Sequence, residues 1–494
     1  MKEDAAMEMH SSPPTEAQAT DATRTLGEHR ARPLERAVGG LLGRALGAAL
    51  SQLRCGSLAL DLPDGRRIEG RGQEPGPSGL VRVHAWRCLW QLLVAGDVAF
   101  AEAYVRGEWS TPDLASVIEV VARNRDAVDR AIDGFGPARA LDWVVHRLRA
   151  NSKSGSRRNI AAHYDLGNDF YAAWLDAEMV YSSAIWPDEG VRARASGSVS
   201  PTRAGESPIP PTEAQATASL AIEGRGPEGL AADAGTCSGL PGWTRERTER
   251  GAVTLEAAQA RKLDRVVELV GAQPGHRVLE IGVGWGALAA RLAQRVGAHV
   301  TGLTLSRHQL AHVQARAAAD GLSHLVEARY EDYRDATGTF DRIVSVEMIE
   351  AVGRAYWPAY FRTLRDRLCP SGHAIVQAIT IDHARLDAYA AKPDFIQVHV
   401  FPGGMLPSIE AMAEEAARAG LSFACVERFG GSYARTLAEW RRRFVEAWPH
   451  IERMGFDEAF RRKWEYYLGY CEGGFRAGAI DVGLYRLAPV GGLT

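Results

Sequence analysis

The stretch Val278–Ala289 reads V-L-E-I-G-V-G-W-G-A-L-A. An apolar strand, Arg277–Ile281, leads into alternating glycines, and a helical pattern then covers Ala287–Arg295. The glycines are Gly282, Gly284 and Gly286. Because glycine has no side chain, it allows a tight turn and a close approach of the backbone to a ligand. The stretch therefore predicts a strand, a turn and a helix of an α/β sheet, with a ligand lying against the turn.

Two cofactor classes use a turn of this kind. Gly282, Gly284 and Ala287 satisfy the loose dinucleotide pattern, but that pattern needs an acidic residue roughly 20 positions further on to hold a ribose. Gly302 stands there, whereas an acid, Glu280, lies inside the strand before the turn. This arrangement resembles the glycine motif of class I methyltransferases, which bind S-adenosylmethionine. The turn alone also leaves open a plain α/β turn without a cofactor.

Strands and helices alternate after the glycine turn. The predicted elements are strand His299–Leu303, helix Arg307–Asp320, strand Leu325–Ala328, strand Phe340–Val346, helix Tyr356–Leu368 and strand His373–Ile379. This order predicts a doubly wound α/β fold, in which a parallel sheet carries helices on both faces and binds ligands beyond the carboxyl ends of its strands. Those ends are expected at Gly282–Gly286, Thr304–Ser306, Asp332–Asp335, Glu347–Glu350 and Gln377–Ile379.

The chain has 494 residues, more than one core usually organises, so we expect two domains and an insertion. The predicted segments are a disordered tail 1–32, a small α+β domain 33–145, a basic linker 146–160 and a catalytic domain 161–494, of which 187–253 is a disordered, low-complexity insertion. The string P-P-T-E-A-Q-A-T occurs in both the tail and the insertion. The basic linker has a second interpretation, a strip that rests on anionic lipid headgroups.

The small domain has readable local signals of its own. Leu34–Leu53 predicts a helix, and two strands turned at Pro63–Gly65 predict a hairpin. A further strand is expected at Leu80–Val83, followed by three short helices, the last of them Leu114–Asn124. No catalytic cluster is identified in this domain.

Composition excludes several classes of protein. A formal net charge of -3 and a pI near 6.6 argue against a general nucleic-acid binder. The six cysteines lack C-x-x-C spacing, so they predict neither a metal site nor a disulfide framework, and a reducing cytoplasm fits them best. No stretch is read as a signal peptide or a membrane span. We expect a cytoplasmic protein without a metal.

An aromatic stretch precedes the insertion. His163–Tyr171 and Tyr181–Trp186 cluster Tyr, Trp, His and Asp without regular alternation. Such a stretch lines a site more often than it builds a sheet, but an aromatic lid over a core remains the alternative.

Taken in order, these motifs resemble the cyclopropane-fatty-acyl-phospholipid synthases, including the mycolic acid cyclopropane synthases. The likeness covers about Ala161–Leu487 without the insertion, and more weakly the part from Leu34. The motifs are His163–Phe170, Tyr181–Trp186, Leu255–Lys262, the glycine turn, Thr304–Gln309, Asp332–Asp335, Phe340–Val346, Phe401–Ser408 and Tyr470–Arg476. The resemblance implies a Rossmann-like class I methyltransferase that transfers carbon from S-adenosylmethionine to the cis double bond of an unsaturated phospholipid acyl chain, giving a cyclopropane.

The resemblance also implies which residues form the site. The cofactor would be held by Tyr181, Ser182, Glu280, Gly282, Gly284, Gly286, Thr304, Ser306, Gln309, Asp332 and Tyr333. In the family the final proton goes to a bound bicarbonate, held by a Cys, a Glu, a His, an Ile backbone and a Tyr. The matching positions here are Ser183, Glu350, Gln377, Ile379 and Tyr433.

Two of those positions depart from the family, since Ser183 stands for the Cys and Gln377 for the His. Both can donate hydrogen bonds to bicarbonate, but glutamine does not titrate as histidine does. A methyl- or methylene-branched product is therefore the first alternative to the cyclopropane. Cys471 matches a family cysteine near the site, with simple packing as the other interpretation.

Other functions stay open at this point. A soluble methyltransferase acting on O or N of a small molecule would use the same turn, and a non-catalytic lipid or cofactor binder would fit the altered bicarbonate positions. Arg441–Phe444 and Phe460–Trp464 place aromatic residues beside basic ones, as at a lipid headgroup boundary, although a solvated helix face explains them as well. We expect peripheral association with the inner membrane face and leave a homodimer open.

Overall fold

The computed structural model describes residues 33–126, 166–187 and 253–491. The predicted tail 1–32, the linker 146–160 and nearly all of the insertion 187–253 lie outside the described residues, as do His163–Asp165 of the aromatic stretch.

A small sheet with four helices forms the first unit. Helices α1 to α4 are Pro33–Leu50, Trp86–Ala95, Asp97–Val105 and Leu114–Arg123, and strands β1 to β4 are Cys55–Asp61, Arg67–Arg71, Glu74–Val83 and Trp109–Ser110. The strand order is β2-β1-β3-β4. The predicted hairpin is present as the antiparallel pair β1 and β2, whereas the two-residue strand β4 was too short to show a pattern.

The second unit carries the larger sheet. Its strands are β5 Arg277–Ile281, β6 His299–Thr304, β7 Val326–Tyr330, β8 Phe340–Val346, β9 Leu368–Ile381, β10 Leu421–Arg428 and β11 Ile480–Pro489. Its helices are α5 Asn168–Ala172, α6 Leu255–Val270, α7 Ala287–Val296, α8 Arg307–Ala319, α9 Trp357–Arg367, α10 Leu386–Ala391, α11 Phe395–His399, α12 Ile409–Arg418, α13 Gly430–Arg453 and α14 Glu458–Arg476. The strand order is β10-β11-β9-β8-β5-β6-β7.

The sheet is doubly wound, as predicted, but it is not wholly parallel. Strands β5 to β9 pair in parallel, while β11 pairs antiparallel with both β9 and β10. Neighbouring residues of a strand face opposite sides, and Val278 and Leu279 of β5 belong to two separate buried cores. The two cores lie on opposite faces of the sheet, which is why the strands read as continuous apolar runs.

Glycines let the two units approach each other closely. Helix α14 passes against α4, where a Cβ on Gly473 would lie 2.7 Å from the Ala115 carbonyl oxygen and 2.7 Å from Ile118 Cβ. A Cβ on Gly469 would lie 2.9 Å from the Leu114 side chain. All three distances are too short for a methyl group, so α14 needs glycine here to bring α4 over the rim of the large sheet.

We expect Gly473→Ala to lower stability by roughly 1–3 kcal/mol, the usual cost of overpacking a tight contact. Gly474→Ala is the matched control, because its Cβ would meet Ile480 at 3.4 Å. There the gain in helix propensity should leave stability equal or slightly higher. Thermal unfolding of both variants measures the effect, and equal midpoints would contradict the proposed close packing.

Candidate active site

The glycine turn lies at the carboxyl end of β5. Gly282 and Gly286 have left-handed φ values of 88° and 84°, which side chains with a Cβ rarely adopt. The amides of Gly282 and Val283 donate hydrogen bonds to the Leu303 carbonyl at 3.1 and 2.9 Å, which fixes the turn to β6. Gly286 then begins helix α7. The turn predicted from the sequence is therefore present, and glycine φ values and backbone hydrogen bonds fix its shape.

Glu280 has a carboxyl oxygen without a hydrogen-bond partner beside the turn. Its side chain is 3% exposed, and no hydrogen-bond partner for its Oε2 is found among the described residues. Burial raises the pKa of Glu280 to about 8, while the charge of Lys262 lowers it. A buried acceptor of this kind needs a donor, and the hydroxyl groups of a ribose supply one. The residues of the turn thus fit an adenosine-type cofactor.

One cavity of about 570 Å³ begins at the turn and extends to the small unit. It is lined by Glu280, Gly282 and Gly284 at one end and by Val117, Ile118 and Val121 of α4. The other predicted site residues on its wall are Tyr181, Ser182, Thr304, Gln309, Tyr333, Glu350, Ile379, Tyr433 and Cys471. Most residues predicted from separate motifs are thus brought to a single cavity.

Other predicted cofactor residues lie behind the cavity wall. Ser306 caps α8, and its hydroxyl accepts from the amide of Gln309 at 3.3 Å. The carboxylate of Asp332 accepts from the Arg334 guanidinium at 2.6 Å, with Asp332 only 1% exposed. Thr304 donates to the Gln309 side chain at 2.8 Å. These contacts shape the rim, and a direct contact of Ser306 and Asp332 with the cofactor stays a prediction.

Helix α6 holds the Val180–Ser183 segment in place from behind. Gln259 donates to the Ser182 carbonyl at 2.9 Å, and the Lys262 ammonium donates to the Ser182 hydroxyl at 2.8 Å. Lys262 is 1% exposed, and burial lowers its pKa to about 8, although the charges of Glu347, Asp176 and Glu280 favour its protonated form. Sequence reasoning recognised the α6 motif but assigned no role to these side chains, whose spacing of three residues places them on one helix face.

Glu347 is the functional candidate that sequence reasoning missed. It follows β8 with a φ of 48°, one of two non-glycine residues with positive φ among those described. Its Oε1 accepts from the Ser183 amide at 2.8 Å and from Gln377 Nε2 at 2.7 Å, and its Oε2 accepts from the Tyr433 hydroxyl at 2.6 Å. The signal available in the sequence was its place at a predicted strand end, beside Glu350.

The predicted bicarbonate positions contact carboxyl groups of this chain in the structure. Ser183 contacts Glu347 with its backbone amide, while its hydroxyl donates to the Ala184 carbonyl at 3.0 Å. The Ile379 amide donates to Glu350 Oε1. Burial and the neighbouring Glu347 raise the pKa of Glu350 to about 8, so Glu350 holds a proton near neutral pH.

Cys471 and the tyrosines of the cavity are neutral groups. Burial, followed by the charge of Asp394, raises the pKa of the Cys471 thiol. A thiol in this state is not a nucleophile, which favours packing over reactivity. Burial likewise raises the pKa values of Tyr433 and Tyr467, and the Tyr467 hydroxyl lies 2.8 Å from that of Tyr181.

One part of the aromatic stretch belongs to the core, and another part lines the cavity. Phe170 and Trp174 are buried to 1% and 0% exposure and pack ring against ring, so this part belongs to the core. Tyr181 instead lines the cavity. Trp285 of the glycine turn donates to Asn168 at 2.9 Å, which couples the stretch to the turn.

The segments expected at a headgroup boundary are Arg441–Phe444 and Phe460–Trp464, and most of their aromatic rings are buried in the structure. Phe444 and Trp464 are buried at 0% and 3% exposure and face the core, whereas Phe460 is half-buried. Arg441 pairs with Glu472, and Arg442 with Glu439 and Glu446. The Arg442 pairs are typical of a solvated helix face, whereas Glu472 is fully buried, so the Arg441 pair lies between α13 and α14. Within the described residues, no helix combines the length and apolar character needed to cross a membrane.

The chain is similar in sequence to proteins of one known family. The sequence profile of a family described as mycolic acid cyclopropane synthetase matches residues 151–196 and 247–484. Tuberculostearic acid methyltransferase UfaA1 of Mycobacterium tuberculosis is 38% identical over 401 residues, 80% of each chain. Cyclopropane-fatty-acyl-phospholipid synthase of Escherichia coli is 29% identical, over 79% of this chain and 83% of that protein.

A solved structure shows the same fold. The cyclopropane synthase MmaA2 of Mycobacterium tuberculosis superposes with a TM-score of 0.51 at 26% identity, covering 67% of this chain and 98% of that chain.

We expect Glu280→Gln to weaken S-adenosylmethionine binding roughly 10- to 100-fold, since a hydrogen bond to a charged acceptor is worth roughly 1.5–3 kcal/mol. Glu327→Gln is the control, because Glu327 is an exposed residue of β7 paired with Arg329. Titration calorimetry at pH 9, above the pKa of about 8 at which Glu280 ionises, measures both affinities. Equal affinities would remove Glu280 from the cofactor site.

Proposed function

The chain belongs to the mycolic acid cyclopropane synthetase family of S-adenosylmethionine-dependent methyltransferases, and from this premise we propose that it transfers carbon to the cis double bond of an unsaturated phospholipid acyl chain. The observation that carries the proposal is the single cavity that joins the glycine turn, the carboxylates Glu347 and Glu350 and the apolar face of α4. A lipid chain and the cofactor would meet inside it.

The far part of the cavity suits hydrocarbon. Its wall includes Phe100, Val117, Ile118, Ile396 and Phe401. Moving a methylene group from water to such surroundings is favourable by about 0.8 kcal/mol, so several methylenes would hold an acyl chain firmly.

The reacting part of the cavity suits a developing positive charge. When bound, S-adenosylmethionine supplies an electrophilic methyl carbon on a sulfonium. The alkene that takes this carbon becomes a carbocation, which the closed cavity shelters from water. Tyr181, Tyr433 and Tyr467 line this region, and their neutral rings can stabilise a desolvated cation by about 2 kcal/mol.

We favour a methylene-branched chain as the product. It requires a hydride shift between the two former alkene carbons before a proton leaves the transferred carbon. Ser183 and Gln377 depart from the residues that the resemblance assigns to cyclopropane formation, and the relative at 38% identity is named a methyltransferase. The cyclopropane is the second candidate, because the family description and the Escherichia coli relative's name both refer to that product.

Incubation with S-adenosylmethionine labelled in its methyl carbon and vesicles of unsaturated phospholipid tests the proposal. We expect label in the acyl chain, and none with vesicles of saturated phospholipid. The two candidate products have the same mass, so ozonolysis separates them: it cleaves the methylene branch and leaves the cyclopropane intact. An unlabelled acyl chain would refute the lipid substrate, and turnover without vesicles would favour a soluble acceptor.

We expect Ala122→Trp to block the far end of the cavity, since Ala122 lines it from the last turn of α4. Acyl-chain labelling should fall at least about tenfold, while S-adenosylmethionine binding stays the same. Ala95→Trp is the control, because Ala95 is exposed at the end of α2 and does not line this cavity. Equal labelling by both variants would show that the acyl chain does not reach α4.

A further inference from the structure

The groups that the resemblance assigns to bicarbonate contact carboxylates of this chain instead. Three donors point at Glu347: the Ser183 amide at 2.8 Å, Gln377 Nε2 at 2.7 Å and the Tyr433 hydroxyl at 2.6 Å. The fourth, the Ile379 amide, donates to Glu350. Every donor predicted to hold the anion is therefore already in use.

Bicarbonate does not fit this arrangement. It would have to displace Glu347 from three hydrogen bonds or bind beside it as a second negative charge. Placing two anions at contact distance inside a protein is strongly unfavourable unless one takes up a proton. The carboxylate of Glu347 offers the same pair of oxygens as bicarbonate, on a side chain that cannot dissociate.

We propose that Glu347 takes the place of bicarbonate and is the base that removes the final proton from the transferred carbon. The inference rests on the proposed function. In this step the C–H bond of the transferred carbon breaks and its proton goes to a Glu347 oxygen. The electron pair of that bond forms the new carbon–carbon bond, a double bond in the branched product or a ring bond in the cyclopropane. The cation and the carboxylate both become neutral.

The two carboxyl groups have different partners. Burial raises the pKa of Glu347, while the Tyr433 and Ser183 hydrogen bonds and the charge of Lys262 favour its ionised form. Glu350 has one backbone donor, and its Oε2 has no partner among the described residues, so it holds a proton near neutral pH. Neighbouring carboxyls whose environments differ are a common arrangement for acid and base chemistry.

The backbone at Glu347 favours glycine rather than glutamate. A φ of 48° is rare for residues with a Cβ and costs of order 1 kcal/mol, whereas glycine adopts it freely. Glu347→Gly should therefore fold, and it would leave an open, donor-lined space of the size of a small carboxylate. This variant can separate a chemical role from a structural one.

Binding of bicarbonate tests the replacement without any turnover. We expect titration of 13C-bicarbonate, followed by NMR, to show no binding to the wild-type protein and millimolar binding to Glu347→Gly. Binding to the wild type as tight as to the variant would overturn the proposal. This measurement tests whether Glu347 replaces bicarbonate even if phospholipid is not the substrate. A wrong substrate would show separately, because the wild-type protein would then label no acyl chain.

Turnover in buffer freed of carbon dioxide tests the role as a base. The wild type should keep its full rate of acyl-chain labelling, and Glu347→Gln should lose about 100-fold or more, the usual contribution of a general base. Glu347→Gly should be equally slow and regain activity with bicarbonate, formate or acetate but not with chloride. A merely structural role would not respond to the basicity of the added anion.

Glu414→Gln serves as the control, because Glu414 is an exposed residue paired with Arg418 on α12. It should keep the wild-type rate in all buffers. A wild type that stops in carbon-dioxide-free buffer and recovers with bicarbonate would refute the proposal, as would a Glu347→Gln variant with an unchanged rate.

Discussion

Lys262 is a buried cation on which the charge balance of the site depends. Lys262 is 1% exposed, and the charges of three carboxyl groups favour its protonated form: those of Glu347, Asp176 and Glu280. Buried carboxylates without a counter-charge either take up protons or destabilise the fold by several kcal/mol. Because Lys262 also donates to the Ser182 hydroxyl, the same group that balances the charge holds the segment that carries the Ser183 amide. The cofactor end and the reacting end of the cavity thus share one cation.

The small unit covers the rim of the large sheet, where the cavity lies. The rim of an α/β sheet is open to solvent unless another element covers it, and a carbocation does not survive contact with water. Here α4 lies over the rim, and the glycines at positions 469 and 473 of α14 set the distance of approach. The tight contact between α14 and α4 therefore places the apolar side chains of Val117 and Ile118 over the rim. There they would keep water away from the carbocation that an unactivated alkene forms.

Sequence patterns predicted the parts of the fold that depend on local signals. The glycine turn, β5 and the hairpin of β1 and β2 are local, and each has its own periodicity or turn residues. The antiparallel strand β11 lies between β9 and β10 because of contacts that no local pattern reports. The site was predicted in outline, since motif residues met at one cavity, but the partners of Glu347 come from positions 183, 377 and 433 and only the folded chain shows them together.

The predicted bicarbonate site stays a prediction, and the contacts of its donors show what it depends on. The prediction assumed that substituted residues keep the task of the family's residues, so Ser183 and Gln377 were expected to hold bicarbonate with their side chains. A site is a balance of donors and acceptors, and here the carboxylate of Glu347 accepts from the donors at positions 183, 377 and 433. An attached carboxylate also needs no binding equilibrium, so it is present in every turnover, whereas a free anion must first be captured. The left-handed φ of Glu347 is the cost of that attachment, of order 1 kcal/mol, and three hydrogen bonds to a charged acceptor are enough to offset it.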